Sequence, residues 1–422
     1  MNETVNERLR LSPGANLAGW LTAKRLRAHA LILGLCLWSL YVWNLSTPGL
    51  LDRGGNIKGT DFLHFYTLGS LAAAHRGADL YDMNAAAALS AERVPQAAGK
   101  RYLPLYPPQV SILFAPLAQI SYGWALAIWW CCCALLYGAC GYAIWRACPA
   151  LQGQGATAFL LAIAFPAFFH LIAWGQTSAL ALVCFTLLFF SLRAKREVWA
   201  GVAVGLLIYK PQLGLAAAVV FLSLGAWKTV AAAIVSALAQ VSVGVVYYGW
   251  GPLRHWIVAL HTVRAQWGWL EPRPYQTHSL RTFWVMLFPW STLAFGLYGI
   301  SAALVLGMTI AVWRQGPSAP LPLRYCCLLL ATVLVSPHLT VYDLVILTPA
   351  FLVAADWLVG QPARSSVRNL GPLLYLVYLL PLLSPVTART HLQLSVIAMT
   401  ACVYVVWRAN SHPGARAGIN AV

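Results

Sequence analysis

Charged residues make up only 9% of this 422-residue chain, and they fall between long apolar runs rather than along them. Water-soluble domains carry about a quarter charged residues, so this pattern excludes a soluble globule. With 60% hydrophobic residues and a mean hydropathy of +0.68, the length suits about a dozen membrane crossings of about 20 residues each. The expected fold class is an all-α polytopic membrane protein.

The net charge of +17 comes from 28 Lys and Arg against 11 Asp and Glu. In a soluble protein that excess would point to nucleic acid. Here it anchors cytoplasmic loops and attracts anionic headgroups, so membrane lipids are the expected partners and nucleic acid is not. The ten cysteines sit mostly in apolar runs, with Cys131, Cys132 and Cys133 adjacent. No CxxC pair recurs at ligand spacing, so they read as small packing residues and no zinc site is expected. The first apolar run, 30–47, lacks an A-x-A cleavage site and reads as a retained span.

Basic residues then set the topology. Arg8, Arg10, Lys24, Arg25 and Arg27 keep segment 1–27 cytoplasmic. A first span over about 28–47 leads to a long extracytoplasmic loop, 48–122. Within it, 107–121 carries Pro107, Pro108 and Pro116 and reads as a re-entrant or interfacial helix. Further spans are expected near 123–146, 155–174, 176–193, 197–209, 212–227, 228–250, 291–313, 322–336, 341–359, 369–385 and 391–408. That makes about 12 transmembrane helices in one domain, 28–408, with a cytoplasmic tail at 409–422. Both termini then lie inside. The segment 251–290, rich in Trp, Arg and His, is expected along the outer interface.

This topology brings several polar islands to the outer ends of spans: Asp61, "WGQTS" with Gln176, "YKPQ" with Lys210, and "SPHLTVYD" with His338, Tyr342 and Asp343. Polar groups at membrane depth usually face a protein interior or cavity, so one hydrated outer-leaflet site is expected. Asp61 reads either as a helix N-cap or as a general base taking a proton from an attacking hydroxyl, and the roles need not conflict. Lys210 either snorkels to the headgroups or binds a lipid phosphate. His338 is either a satisfied loop histidine or a donor to a phosphate leaving group. Gln176 is grouped with these donor-phosphate candidates. Arg254, Arg264, Arg273 and Arg281 are weaker ones, because interfacial arginines are common. His64, one turn after Asp61, would orient it or face solvent. Asp343 would cap the next helix or orient His338, and Tyr66 and Tyr342 complete the supporting set. Asp79 and Asp82 read as turn and cap residues, and the tryptophans as an interfacial belt.

The ordered motifs "GTDFLHFYTLGSLAAAHRGADLYD", "LYPPQVSILFAPLA", "WGQTSAL", "YKPQLGL" and "SPHLTVYD" resemble glycosyltransferase family 87 over roughly residues 55–350. That family includes the polyprenyl-phosphomannose-dependent mannosyltransferases of actinobacteria. The resemblance implies a GT-C fold and a plasma-membrane hexosyltransferase acting on the extracytoplasmic side. It further implies a polyprenyl-phosphate sugar donor, most simply mannose, a glycolipid or glycan acceptor, direct displacement with inversion, and no dedicated metal or cofactor. The family's loop-one aspartate base maps onto Asp61, and its late donor-phosphate histidine onto His338. The absence of an external D-x-D agrees with the absence of a metal-bound nucleotide-sugar site. The rival expectation is a transporter or flippase for an anionic or glycosylated lipid. It would put charges deep within the spans and inverted repeats around them. A non-catalytic scaffold would leave Asp61 as a cap only.

Overall fold

The computed structural model describes residues 21–262, 270–360, 367 and 369–411. The ends of the expected cytoplasmic segments, 1–20 and 412–422, lie outside them. Every regular element among the described residues is helical, with two isolated β-bridges, Leu51 to Ile57 and Thr277 to Thr340.

Among the described residues, seven helices are long and apolar enough to cross a membrane: Ala23–Leu45, Tyr122–Arg146, Trp227–Tyr248, Ser291–Arg314, Val341–Val359, Leu370–Thr390 and Leu394–Ser411. An eighth candidate is the pair Pro149–Ile163 and Pro166–Trp174, bent by 46° where Pro166 starts the second piece. Their outward faces carry large apolar side chains such as Leu135 and Val246, and Trp43, Trp124, Trp227 and Trp290 are exposed near helix ends. Such surfaces suit hydrocarbon with an aromatic belt and not water. The chain is a multi-pass membrane protein.

The count falls below the expected twelve for a physical reason. Four of the expected spans form shorter helices, Ser178–Arg193, Glu197–Tyr209, Pro211–Ser223 and Leu321–Val335, below the roughly 20 residues of a straight crossing. The polar islands break them: Gly175 and Gln176 precede the first, Lys210-Pro211 divides the second from the third, and Ser336-Pro337 ends the fourth. Segment 107–121 is likewise short, a six-residue helix Gln109–Phe114 followed by a 3-10 turn.

Between Leu45 and Tyr122 lies Phe62–Ala73, a helix buried along nearly its whole length. Phe62 packs on Phe114, Tyr122 and Trp129. The close approach of the Gln109–Phe114 helix needs Gly69, because a Cβ there would sit 2.4 Å from the Phe114 carbonyl oxygen. Gly175 is another required glycine. It ends Pro166–Trp174 in the left-handed region at φ +70°, and a Cβ would lie 2.6 Å from Phe62 Cβ. Trp129 Nε1 donates to its carbonyl at 3.0 Å. Gly175→Ala should therefore cost about 1–3 kcal/mol or more and lower the melting temperature of detergent-solubilised protein. An unchanged melting temperature would show that the junction relaxes.

Candidate active site

The short helices stop early because their ends line one cavity of about 1030 Å³. Gln176, Tyr209, Lys210, Pro211, Pro337 and His338 all face it. The positive N-terminal ends of Ser178–Arg193 and Pro211–Ser223 therefore start at its wall, a favourable setting for an anion.

Asp61 is a half-buried carboxylate lining this cavity, which Asp52 and Glu271 line as well. It stands in the N-cap position of Phe62–Ala73, yet its side chain makes no capping bond. Gln176 Nε2 donates to Asp61 Oδ2 instead, at 2.6 Å. The amide has one sensible orientation, because its Oε1 accepts from the Thr177 N–H at 3.3 Å and, at longer range, from the Tyr106 hydroxyl. The backbone is held as well: Asp61 N–H donates to the Trp174 carbonyl at 3.0 Å, Tyr122 donates to the Lys58 carbonyl at 2.7 Å, and Tyr102 donates to the Thr60 carbonyl. Burial pushes the Asp61 carboxyl up to about 6, with the Gln176 hydrogen bond and the Lys210 charge pulling the other way. A carboxylate poised near neutral pH is what a general base requires.

Lys210 and Asp343 form a buried ion pair with Nζ 2.8 Å from Oδ1. Ser178 Oγ also donates to Asp343 Oδ1. Asp343 accepts the Thr340 backbone N–H as well, at 3.3 Å, so it does help to start its helix. Burial favours the neutral Lys210 amine, but the neighbouring Asp343 carboxylate outweighs it and raises the pKa. The Lys210 charge is thus already balanced, and Nζ lies 5.0 Å from the Tyr342 ring centre.

A third group closes the wall. Nδ1 of His338 lies 2.9 Å from Glu271 Oε1, and Arg281 Nη2 pairs with Glu271 Oε2. Burial pushes the Glu271 carboxyl up, but hydrogen bonding from His338 and the charges of His338 and Arg281 hold it below the usual range. Glu271 is the sole acidic residue of segment 251–290. That scarcity among so many arginines and histidines was the one available sequence signal for it.

The structure thus brings Asp61, Gln176, Lys210, His338 and Tyr342 to one cavity, with His64 in its wall. Several expectations change in detail. Gln176 spends its amide on Asp61, so its visible partner is the carboxylate. Glu271, rather than Asp343, is bonded to the His338 ring. The His64 ring packs against Tyr102 and Tyr106 rather than bonding the Asp61 carboxylate. Tyr66 turns away, donating to the Ile120 carbonyl at 2.9 Å and accepting from Arg93 Nη2 at 3.0 Å. Arg254 is exposed on Trp250–Thr262 and does not line the cavity, whereas Arg273 does. Arg264 lies outside the described residues. Asp82 caps Met83–Arg93 and Asp79 pairs with Arg76, as local residues would. Among the described residues, no three His, Cys, Asp or Glu side chains converge to hold a metal ion.

A multi-span helical protein with a poised carboxylate, a histidine and helix N-termini around one cavity has the parts for group transfer at a membrane. The comparison with family models gives the class: residues 105–337, more than half the chain, match glycosyltransferase family 87. The chain belongs to that family and is a membrane glycosyltransferase. The matched region contains Gln176, Lys210 and Glu271, starts after Asp61 and ends one residue before His338. No curated protein matches, and no solved structure does.

Removing one member of a buried ion pair strands the other's charge, at about 3–5 kcal/mol. Lys210→Met should therefore destabilise strongly in detergent melting experiments, and Lys210→Met with Asp343→Leu should recover much of that loss. If the double variant is no more stable than the single one, the pair is not what the pocket wall depends on.

Proposed function

We propose that this cavity transfers a hexose, most simply mannose, from a polyprenyl-phosphate donor to a hydroxyl of a glycolipid or glycan. The proposed setting is the extracytoplasmic side of the plasma membrane, within a GT-C-type fold. The observation that carries the reading is the Asp61 carboxylate, which is free of its capping duty, aimed by Gln176 and faces the same cavity as His338.

In this reading the acceptor oxygen attacks the anomeric carbon from the side opposite the phosphate, and inversion follows. Asp61 takes the hydroxyl proton as the new C–O bond forms. The bond to phosphate oxygen breaks, and its electron pair stays on the polyprenyl phosphate. His338 donates to that phosphate, assisted by the helix N-termini at Ser178 and Pro211, where the growing charge is stabilised electrostatically. Lys210 contributes chiefly by countering the buried Asp61 charge, since Asp343 already engages its ammonium. Arg254 is exposed and off the cavity, so Arg273 at the cavity wall takes its place as a phosphate ligand, and Arg264 stays a candidate outside the described residues. Tyr102, Tyr106, Trp174 and Tyr342 supply aromatic faces for a sugar ring.

Asp61→Asn should lower transfer from a radiolabelled polyprenyl-phosphate hexose by about 10²–10⁴-fold, the usual worth of a general base. Wild-type rates at matched protein level would refute the assignment.

The pH profile is a separate check. The base acts ionised and its folded-state pKa is raised to about 6, so the acid limb of kcat/KM should climb as pH rises through about 6. A profile that is flat from about pH 5 to about pH 8 would contradict a titrating Asp61.

A further inference from the structure

His338 gives one ring nitrogen to the protein and stands in the cavity wall. Its Nδ1 contacts Glu271 Oε1 at 2.9 Å, while the side chain retains 18% exposure on the cavity wall. An ionised carboxylate has no hydrogen to give, so this bond requires the proton to be on Nδ1. Among the described residues, Nε2 has no protein partner.

Glu271 is itself anchored on the far side. Its Oε2 accepts from Arg281 Nη2 and from Thr282 Oγ1 at 3.3 Å. Arg281 Nε donates at 2.5 Å to the carbonyl of Pro337, the residue before His338. The His278 N–H donates to the Leu339 carbonyl at 3.0 Å, beside the Thr277–Thr340 bridge. The segment bearing Glu271 and the turn bearing His338 are thereby joined on both sides of the imidazole. The Glu271 side chain, 6% exposed, is too buried to be an incidental surface partner.

We propose that Glu271 is a positioning residue that acts through His338: it holds the proton on Nδ1 and aims Nε2 at the leaving phosphate. This rests on the transfer reading given above. As the anomeric C–O bond breaks, the electron pair passes to phosphate oxygen and the Nε2–H of the protonated ring donates to it. The Glu271 carboxylate balances the imidazolium charge through Nδ1–H. A partner that orients a functional histidine is worth about 10–100-fold in the best-studied settings. A pure loop tie between Glu271 and Arg281 would have no such dependence on the ring.

The test is a double-mutant cycle in nanodiscs with a polyprenyl-phosphate hexose donor, comparing Glu271→Gln, His338→Ala and the pair. Glu271→Gln should lower kcat by about 10–100-fold with little change in KM, yet cost less than about 3-fold when added to His338→Ala. Costs that multiply in the double variant, or an unchanged kcat in Glu271→Gln, would overturn the proposal. If Glu271→Gln does not fold, Glu271→Asp, which keeps the charge but withdraws it by one methylene, is judged by the same criteria. Proton and nitrogen NMR of histidine-labelled protein reads the contact without any transfer assay. A hydrogen-bonded Nδ1–H resonance absent from His338→Ala should be present in wild type and lost or moved upfield in Glu271→Gln. Its absence from wild type would overturn the proposal. If that resonance behaves as expected but wild type transfers no sugar, the transfer reading fails while the Glu271–His338 contact stands.

Discussion

The hydrogen bond from Gln176 to Asp61 joins two distant parts of the chain, and the cavity takes its shape from that junction. The same junction brings the Asp61 N–H onto the Trp174 carbonyl and Phe62 against Gly175, where no larger residue fits. A hydrogen bond to a charged group is worth about 1.5–3 kcal/mol, and an orphaned buried charge costs more. The carboxylate therefore cannot leave Gln176 cheaply, and the loop that carries it is locked onto the membrane domain. The acidic group that chemistry would use is thus held both at its carboxylate and at its backbone.

The same economy explains the short helices. Ser178–Arg193, Glu197–Tyr209, Pro211–Ser223 and Leu321–Val335 end at cavity residues instead of running a full bilayer thickness. Ends that stop inside a protein need partners for their polar groups. Here the Ser178 hydroxyl, Lys210 and Asp343 satisfy one another at the point where three elements meet. Broken helices and a polar pocket are thus a single feature: the breaks create the cavity, and the cavity's side chains cover the breaks.

Much of this was legible in the sequence. Apolar runs specify a multi-span helical protein, and the islands at Asp61, Gln176, Lys210 and His338 are the residues that gather. Pattern alone could not separate a crossing from a half-length helix, because periodicity and composition are alike in both. Hence, where about twelve spans are expected, seven or eight helices among the described residues reach spanning length. The capping reading of Asp61 failed for a similar reason: "GTD" before an apolar run fits a cap, and only the packing of Gln176 shows where the carboxylate points. Glu271 was missed because its partners, Arg281 and His338, are 10 and 67 residues away, and separations of that size leave no local mark. Tyr66 follows Asp61 on Phe62–Ala73, yet its hydroxyl bonds the Ile120 carbonyl and Arg93 and does not line the cavity.

The central claim is that one cavity seats a lipid-borne sugar phosphate between Asp61 and His338. A structure of the protein bound to a non-transferable polyprenyl-phosphonate hexose tests this most directly. The account predicts the phosphonate within hydrogen-bond distance of His338 Nε2, with the Asp61 carboxylate on the opposite side of the anomeric carbon. An analogue seated outside this cavity, or with its phosphonate against Asp61, would contradict it.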